Sequence, residues 1–176
     1  MNINFKAQYI MPATIQKRNK NHYQKHSAGF YKLDPQNKAD KKIITEIAKN
    51  WGNNSYSYNI YDNLYNNKNL NKKTHVYVIA QDIIPEAELS AGNIIGIAEL
   101  TEHSDMENTL DFMQVKPFIL KTKKYLKTGS QMLDIIKCLH FDKPIYLFSD
   151  KNAREFYQKN GFQKIPNCSN SFYWEA

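Results

Sequence analysis

The chain is short of cysteine, of long apolar runs and, over its first half, of acidic residues, and each shortage excludes something. Cys138 and Cys168 are the only two cysteines in 176 residues. They stand far apart and form no C-x-x-C pair, which excludes a disulfide scaffold and leaves reduced, buried thiols as the expectation. No uninterrupted apolar run approaches the ~20 residues that cross a bilayer. The start, Met1-Asn2-Ile3-Asn4-Phe5-Lys6, lacks the apolar core of a signal peptide. The expectation is a soluble, cytoplasmic protein with no membrane partner. Neither an internal repeat nor a dividing linker is visible, so residues 1–176 read as one domain, long enough to bury a core without disulfide or metal staples.

Acidic residues are scarce where basic ones gather. Residues 1–75 hold 13 Lys and Arg against 4 Asp and Glu, while residues 76–176 hold 11 against 13. The net charge of +7 is therefore a property of the N-terminal half, and a positive field there favours an anionic partner: an acidic protein, a phosphate-bearing ligand or RNA. The hydrophobic fraction of 41%, with 13% aromatic residues, is compatible with a packed core. A mean hydropathy of -0.67 points to long polar connections.

Phe5–Ile10 alternates apolar and polar residues and reads as an opening strand. Residues 11–28 lose all periodicity and are expected to form a surface loop carrying Lys17, Arg18, Lys20 and Lys25. His22 and His26 would share one face of a helix, but without Cys or acidic companions they predict no metal site. Asp34-Pro35 should open an amphipathic helix through Ile43, Ile44, Ile47, Ala48 and Trp51, stopped by Gly52. A second helix is expected over about Ser55–Tyr65, and the Asn-rich run 66–71 is a loop. Residues 76–80, 94–100 and 110–115 then read as three successive strands of an antiparallel meander. A helix starting near Gly129, the strand Ile145–Phe148, a further helix and two short strands, 162–165 and 171–174, complete the pattern.

Two segments carry chemistry. Lys124-Tyr125-Leu126-Lys127-Thr128-Gly129-Ser130 opens directly into a helix, whose free N–H groups can hold a pyrophosphate, with Lys121, Lys123, Lys124 and Lys127 as point charges. In Ala153-Arg154-Glu155-Phe156-Tyr157-Gln158-Lys159-Asn160-Gly161-Phe162, Ser149 or Asp150 should cap a short helix and Gly161 should end it in the left-handed conformation. Phe162 should then fold back on Tyr157.

The second segment resembles the A-x-x-F-Y-x-K-x-G-F signature of the GCN5-related N-acetyltransferases through Ala153, Phe156, Tyr157, Lys159, Gly161 and Phe162. The order of elements over residues 75–176 is similar to that family, and Val115-Lys116-Pro117 matches its V-x-P strand end. The family's Q/R-x-x-G-x-G/A loop is met in part, with Lys124 for Gln or Arg, Lys127 for the first glycine and Gly129 for the last. About four extra residues follow Pro117. Asp150 stands where the family often has an asparagine, and Asn152 could take that role.

The resemblance implies a single α/β (α+β) domain with a mixed, mostly antiparallel sheet of about six or seven strands flanked by helices. Residues 76–176 would bind acyl-CoA and residues 1–75 would form the acceptor side. It implies transfer of an acetyl group from acetyl-CoA to a primary amine by direct attack, with no metal and no cysteine intermediate. Tyr157 would protonate the departing thiolate, and Val115, Lys124, Lys127, Thr128, Gly129, Ser130 and Asn152 would bind the coenzyme, a backbone N–H near Val115 meeting the oxyanion. Glu99 is the first candidate for the base, ahead of Asp111, Glu102 and His103. The basic half leaves room for an acceptor carried on an anionic macromolecule, and such folds often pair as homodimers. The alternative is a non-catalytic module of this fold that binds RNA or an acidic protein through its basic, tyrosine-bearing half.

Overall fold

The computed structural model describes residues 7–20, 22–52, 55–66, 73–103, 106–117 and 125–176. Within them the chain forms β1 (Gln8–Asn19), β2 (His22–Leu33), α1 (Lys38–Trp51), α2 (Tyr56–Tyr65), β3 (Lys73–Ala80), β4 (Ile94–His103), β5 (Glu107–Val115), β6 (Tyr125–Leu126), α3 (Thr128–Leu139), β7 (Ile145–Phe148), α4 (Arg154–Lys159), β8 (Gln163–Lys164) and β9 (Ser171–Trp174). Short 3-10 turns precede β4 and α4. The strands make one sheet in the order β6-β1-β2-β3-β4-β5-β7-β9-β8. Every pairing is antiparallel except β5 with β7.

Helices cover both faces, which is why β3 and β4 are apolar almost throughout and not alternating. Tyr77, Ile79, Ala98 and Leu100 pack with Met132, Leu133 and Ile136 of α3 and with Tyr157. Val76, Val78, Ala80 and Ile97 point the other way, onto Ile43, Ile44 and Ile47 of α1 and Ile60 of α2. The meander and the strand–helix–strand–helix unit lie where periodicity places them. The sheet has nine strands among the described residues rather than six or seven, because β2 and β6 add to the seven expected.

The 11–28 stretch differs most from its sequence reading. It is no loop but most of a long β1–β2 hairpin, in register from Met11↔Phe30 to Asn19↔His22. β3 pairs only with Gly29–Leu33 of β2, so the hairpin's tip extends beyond the sheet as a two-stranded ribbon. Its base is held by more than backbone pairing: Ala13, Ile15 and Ala28 are buried in the core, β6 pairs with Gln16 and Lys17, and His26 bonds Asp82 at 2.8 Å. Helix α1 begins three residues after Asp34-Pro35: Asn37 is the cap, its side-chain oxygen accepting from the N–H groups of Ala39 and Asp40. Both cysteines are exposed, against the expectation of burial, since Cys138 falls on the outer face of α3. Phe5 and the Asn-rich run beyond Asn66 lie outside the described residues. No helix among the described residues is long and apolar enough to cross a membrane.

Candidate active site

The site begins where two parallel strands part. β5 pairs with β7 only over Asn108–Leu110 and Ile145–Leu147. From Asp111 to Val115 β5 keeps β4 on one side and, among the described residues, has no strand on the other. At the point of parting, Leu100 faces Leu110 while Glu99 faces Phe112, so Asp111 is the extra residue of a β-bulge. Such a bulge bends its strand and re-aims side chains. Beyond it, Lys116 N–H donates to Ile95 O at 2.9 Å. N–H direction alternates along a strand, so those of Val115 and Met113 turn away from β4 and into the opening.

One side of the opening is a cavity of ≈ 790 Å³ that reaches the start of α3, with Val115, Lys127, Thr128, Gly129, Ser130 and Tyr157 in its wall. The first helical bond of α3 runs from Gln131 N–H to Lys127 O at 2.9 Å, so the N–H groups of Thr128, Gly129 and Ser130 have no intrahelical partner. No side chain caps this end. Thr128 is only 2% exposed, and its Oγ1 has no partner among the described residues. Lys127 takes the left-handed conformation with φ 62°, so a lysine has adopted the backbone shape of the glycine for which it stands. A Cβ at Gly129 would lie 3.0 Å from Phe156 Cζ, which makes this glycine a condition for α4 to approach α3. Lys121, Lys123 and Lys124 lie outside the described residues.

On the far side of Tyr157 is a smaller cavity, ≈ 240 Å³, with Tyr56, Asp111, Phe112, Phe148, Asp150 and Asn170 in its wall. Met113, Ala153 and Tyr157 line both cavities. Tyr157 thus stands at their junction, held by the end of α4. Gly161, with φ 83°, lets its N–H reach Gln158 O at 3.0 Å while Phe162 N–H reaches Tyr157 O at 3.1 Å. These are the two bonds of a Schellman C-cap. The accompanying apolar contact is the Phe162 ring, 5.7 Å from that of Tyr157 and edge-on. The N-terminal expectation fails: neither Ser149 nor Asp150 caps the helix through its side chain. A 3-10 turn closed by Ala153 N–H to Asp150 O supplants it, and Ser149 Oγ donates to Asp150 O. Burial, with the Asp150 charge adding to it, pushes the Tyr157 hydroxyl up to about 12, so it is protonated at neutral pH.

Glu99 is fully buried. Its Oε1 accepts from Asn63 Nδ2 at 2.7 Å, and Oε2 has no partner among the described residues. Burial raises its carboxyl to about 8, with Asn63 opposing and Asp111 reinforcing. Glu99 itself lines neither cavity; Asp111, which is in the wall of the smaller one, accepts from Thr101 Oγ1 at 2.5 Å. Of the other acid–base candidates, Glu102 lines neither cavity and is bonded to His75 and Lys73 at 2.5 and 3.2 Å. His103 ends β4, also outside both linings. Asn152 is exposed and absent from both walls, whereas the adjacent Ala153 is present in both. Sequence reading missed Phe112, Phe148 and Asn63, and saw Tyr56 only as one of the tyrosines that could stack on bases. Of these only Asn63 carried a signal, as a polar residue on the helix face that Ile60 buries. Among the described residues of 1–75, Tyr56 alone lines the smaller cavity; the basic residues of that half include the ribbon's Lys17, Arg18, Lys20 and Lys25.

The splayed sheet flanked by helices has the GNAT fold, as comparison with a solved structure shows. The chain is similar to an acetyltransferase of the GNAT family from Staphylococcus aureus Mu50, with 22% identity, 82% of this chain and 97% of that one covered, and a TM-score of 0.51. Tetrahymena GCN5 matches at 10% identity over 76% of this chain and 83% of that one, TM-score 0.49. Ard1 from Thermoplasma volcanium matches at 16% over 83% and 94%, TM-score 0.47. No protein-family model and no curated protein matches the sequence.

Proposed function

We propose that the protein is an acyl-CoA-dependent N-acetyltransferase that moves an acetyl group from acetyl-CoA to a primary amine by direct attack. The observation that carries this reading is Tyr157 at the meeting point of two cavities, one ending on free helix N–H groups and the other open on the opposite side. The coenzyme's pyrophosphate would be held by the N–H groups of Thr128, Gly129 and Ser130 and by Thr128 Oγ1, with the Lys127 ammonium beside it. The thioester would then reach Val115, whose inward N–H would stabilise the oxyanion. Glu99, raised to about 8 and outside both cavity walls, would in its ionised form take a proton of the incoming ammonium through a water. The C–N bond forms, the C–S bond breaks, Tyr157 gives its proton to the thiolate, and the nitrogen sheds its surplus proton to the tyrosinate so formed. Neither Cys138 nor Cys168 is among the described residues that line these two cavities, and the step proposed here uses no cysteinyl intermediate.

Calorimetric titration with acetyl-CoA, with Thr128→Val alongside, tests the coenzyme half. Binding by the wild type and weaker binding by the variant are expected; no binding by the wild type refutes it. The exposed basic ribbon favours a second reading, docking of an anionic macromolecule such as RNA, whether or not it presents the acceptor. Nucleic-acid binding that weakens steeply with salt, without any response to acetyl-CoA, would select a purely binding role.

A further inference from the structure

The start of α3 lies between two structures, and only one of them takes part in the proposed chemistry. On one side are α4 and the end of β5: a Cβ at Gly129 would meet the side chains of Phe156 and Val115. Gln131 follows two residues later, about 200° around the helix axis, and its Oε1 accepts from Thr14 N–H of β1 at 3.0 Å. The free N–H groups of the helix start therefore stand between the Tyr157 side and the β1–β2 hairpin. A second link joins the same two places, since β6 pairs with Gln16 and Lys17 and runs directly into Lys127 and α3. Gln16 and Leu126, which face each other across β1 and β6, both line the larger cavity, and Gln16 is the one residue of β1 or β2 among the described residues to do so.

The hairpin face that Gln16 belongs to is cationic. Lys25 is the cross-strand partner of Gln16 and Arg18 lies two residues on, so period two puts all three on one face of the ribbon. No acidic residue occurs from Ala7 to Leu33. Neither Arg18 nor Lys25 enters an ion pair among the described residues, and Asp82, which approaches the hairpin, is bonded to His26 at 2.8 Å. Arg18 Nε donates to Lys20 O at 3.0 Å, which orients the guanidinium and leaves its outer nitrogens to an anion. A coenzyme with its thioester at Tyr157 and its pyrophosphate on Thr128–Ser130 sends its nucleotide half out on the hairpin side. That half carries a 3′-phosphate, a monoester close to doubly charged at neutral pH. On the strength of the acetyltransferase reading, we infer that the base of the β1–β2 hairpin is a subsite for the 3′-phosphate of coenzyme A, formed by Arg18 and Lys25 beside Gln16. It lets the enzyme distinguish the phosphorylated coenzyme from its dephosphorylated form.

Calorimetric dissociation constants should be compared for acetyl-CoA and 3′-dephospho-acetyl-CoA, which share thioester, pyrophosphate and adenine, at low ionic strength where exposed charges are least screened. The wild type should bind the phosphorylated compound about fivefold more tightly or better, the scale of two solvent-facing ion pairs. In Arg18→Gln/Lys25→Gln that ratio should fall to about twofold or less, while affinity for the dephosphorylated compound stays as in the wild type, which also reports an intact fold. Lys49→Ala removes a charge from α1, on the opposite face of the sheet, and should leave the ratio unchanged. Equal affinity of the wild type for the two compounds overturns the inference. So does a ratio that survives in the double variant, or one that falls as far in Lys49→Ala, which would assign the preference to the overall charge. Failure of the wild type to bind either compound would instead remove the acetyltransferase reading on which the subsite rests.

Discussion

Asn63 donates from its side-chain amide to Glu99 Oε1 at 2.7 Å, so a residue of α2 holds the one fully buried carboxylate of β4. This bond keeps the charged form of Glu99 from costing still more, but it does not offset burial, which leaves the carboxyl at about 8 against an ordinary 4.5. A carboxyl raised on folding binds more protons in the native than in the unfolded state between those two values. It therefore lowers stability as pH rises through that window.

Glu99→Gln keeps an acceptor for Asn63 and removes the titration. Its stability relative to the wild type should rise from pH ~5 to pH ~8, at up to roughly 1.4 kcal/mol per unit of pKa shift, and level off above. Urea unfolding at both ends of the range measures this. A difference that does not vary with pH would mean that Glu99 titrates normally.

Lys127 occupies the left-handed region at φ 62°, a conformation that costs a side-chain-bearing residue ~1–2 kcal/mol. Glycine adopts it freely but loses more chain entropy on folding. Lys127→Gly should stabilise the fold by roughly 0.5–1 kcal/mol in net while weakening acetyl-CoA binding, since the ammonium is lost. Denaturation and calorimetry should thus move in opposite senses. Loss of stability, or tighter coenzyme binding, would contradict the role given to this residue.

Gly129 is where α3 and α4 approach. A valine there would push against Phe156, whose Cζ is already 3.0 Å from the site of the first added carbon. Overpacking of this kind costs about 1–3 kcal/mol. Gly129→Val should destabilise by that order, and Phe156→Ala in the same chain should recover part of it, which a double-mutant cycle measures. Additive losses would mean that the two residues do not meet.

The sequence made the Tyr157 helix legible because its stop is local: Asn160, Gly161 and Phe162 dictate a C-cap within six residues. The meander and α3 were legible for a similar reason, each having enough apolar residues to fix its period. Residues 11–28 were not, because the alternation of buried Ala13 and Ile15 with exposed Pro12 and Thr14 is short and most of His22–Ser27 buries little. The smaller cavity beside Tyr157 was hidden for a different reason. Asp111, Phe148 and Asp150 come together only through the bulge and the parting of β5 from β7, so a charge count by halves of the chain assigned that side the sign of residues that do not line it.

Tyr157→Phe tests the central claim most directly, assayed by thiol release from acetyl-CoA with a panel of primary amines and by calorimetry with acetyl-CoA alone. The account predicts a fall in kcat on the order of 10² or more, the range of a lost general acid, with acetyl-CoA affinity nearly unchanged. An unchanged kcat with intact coenzyme binding would contradict it.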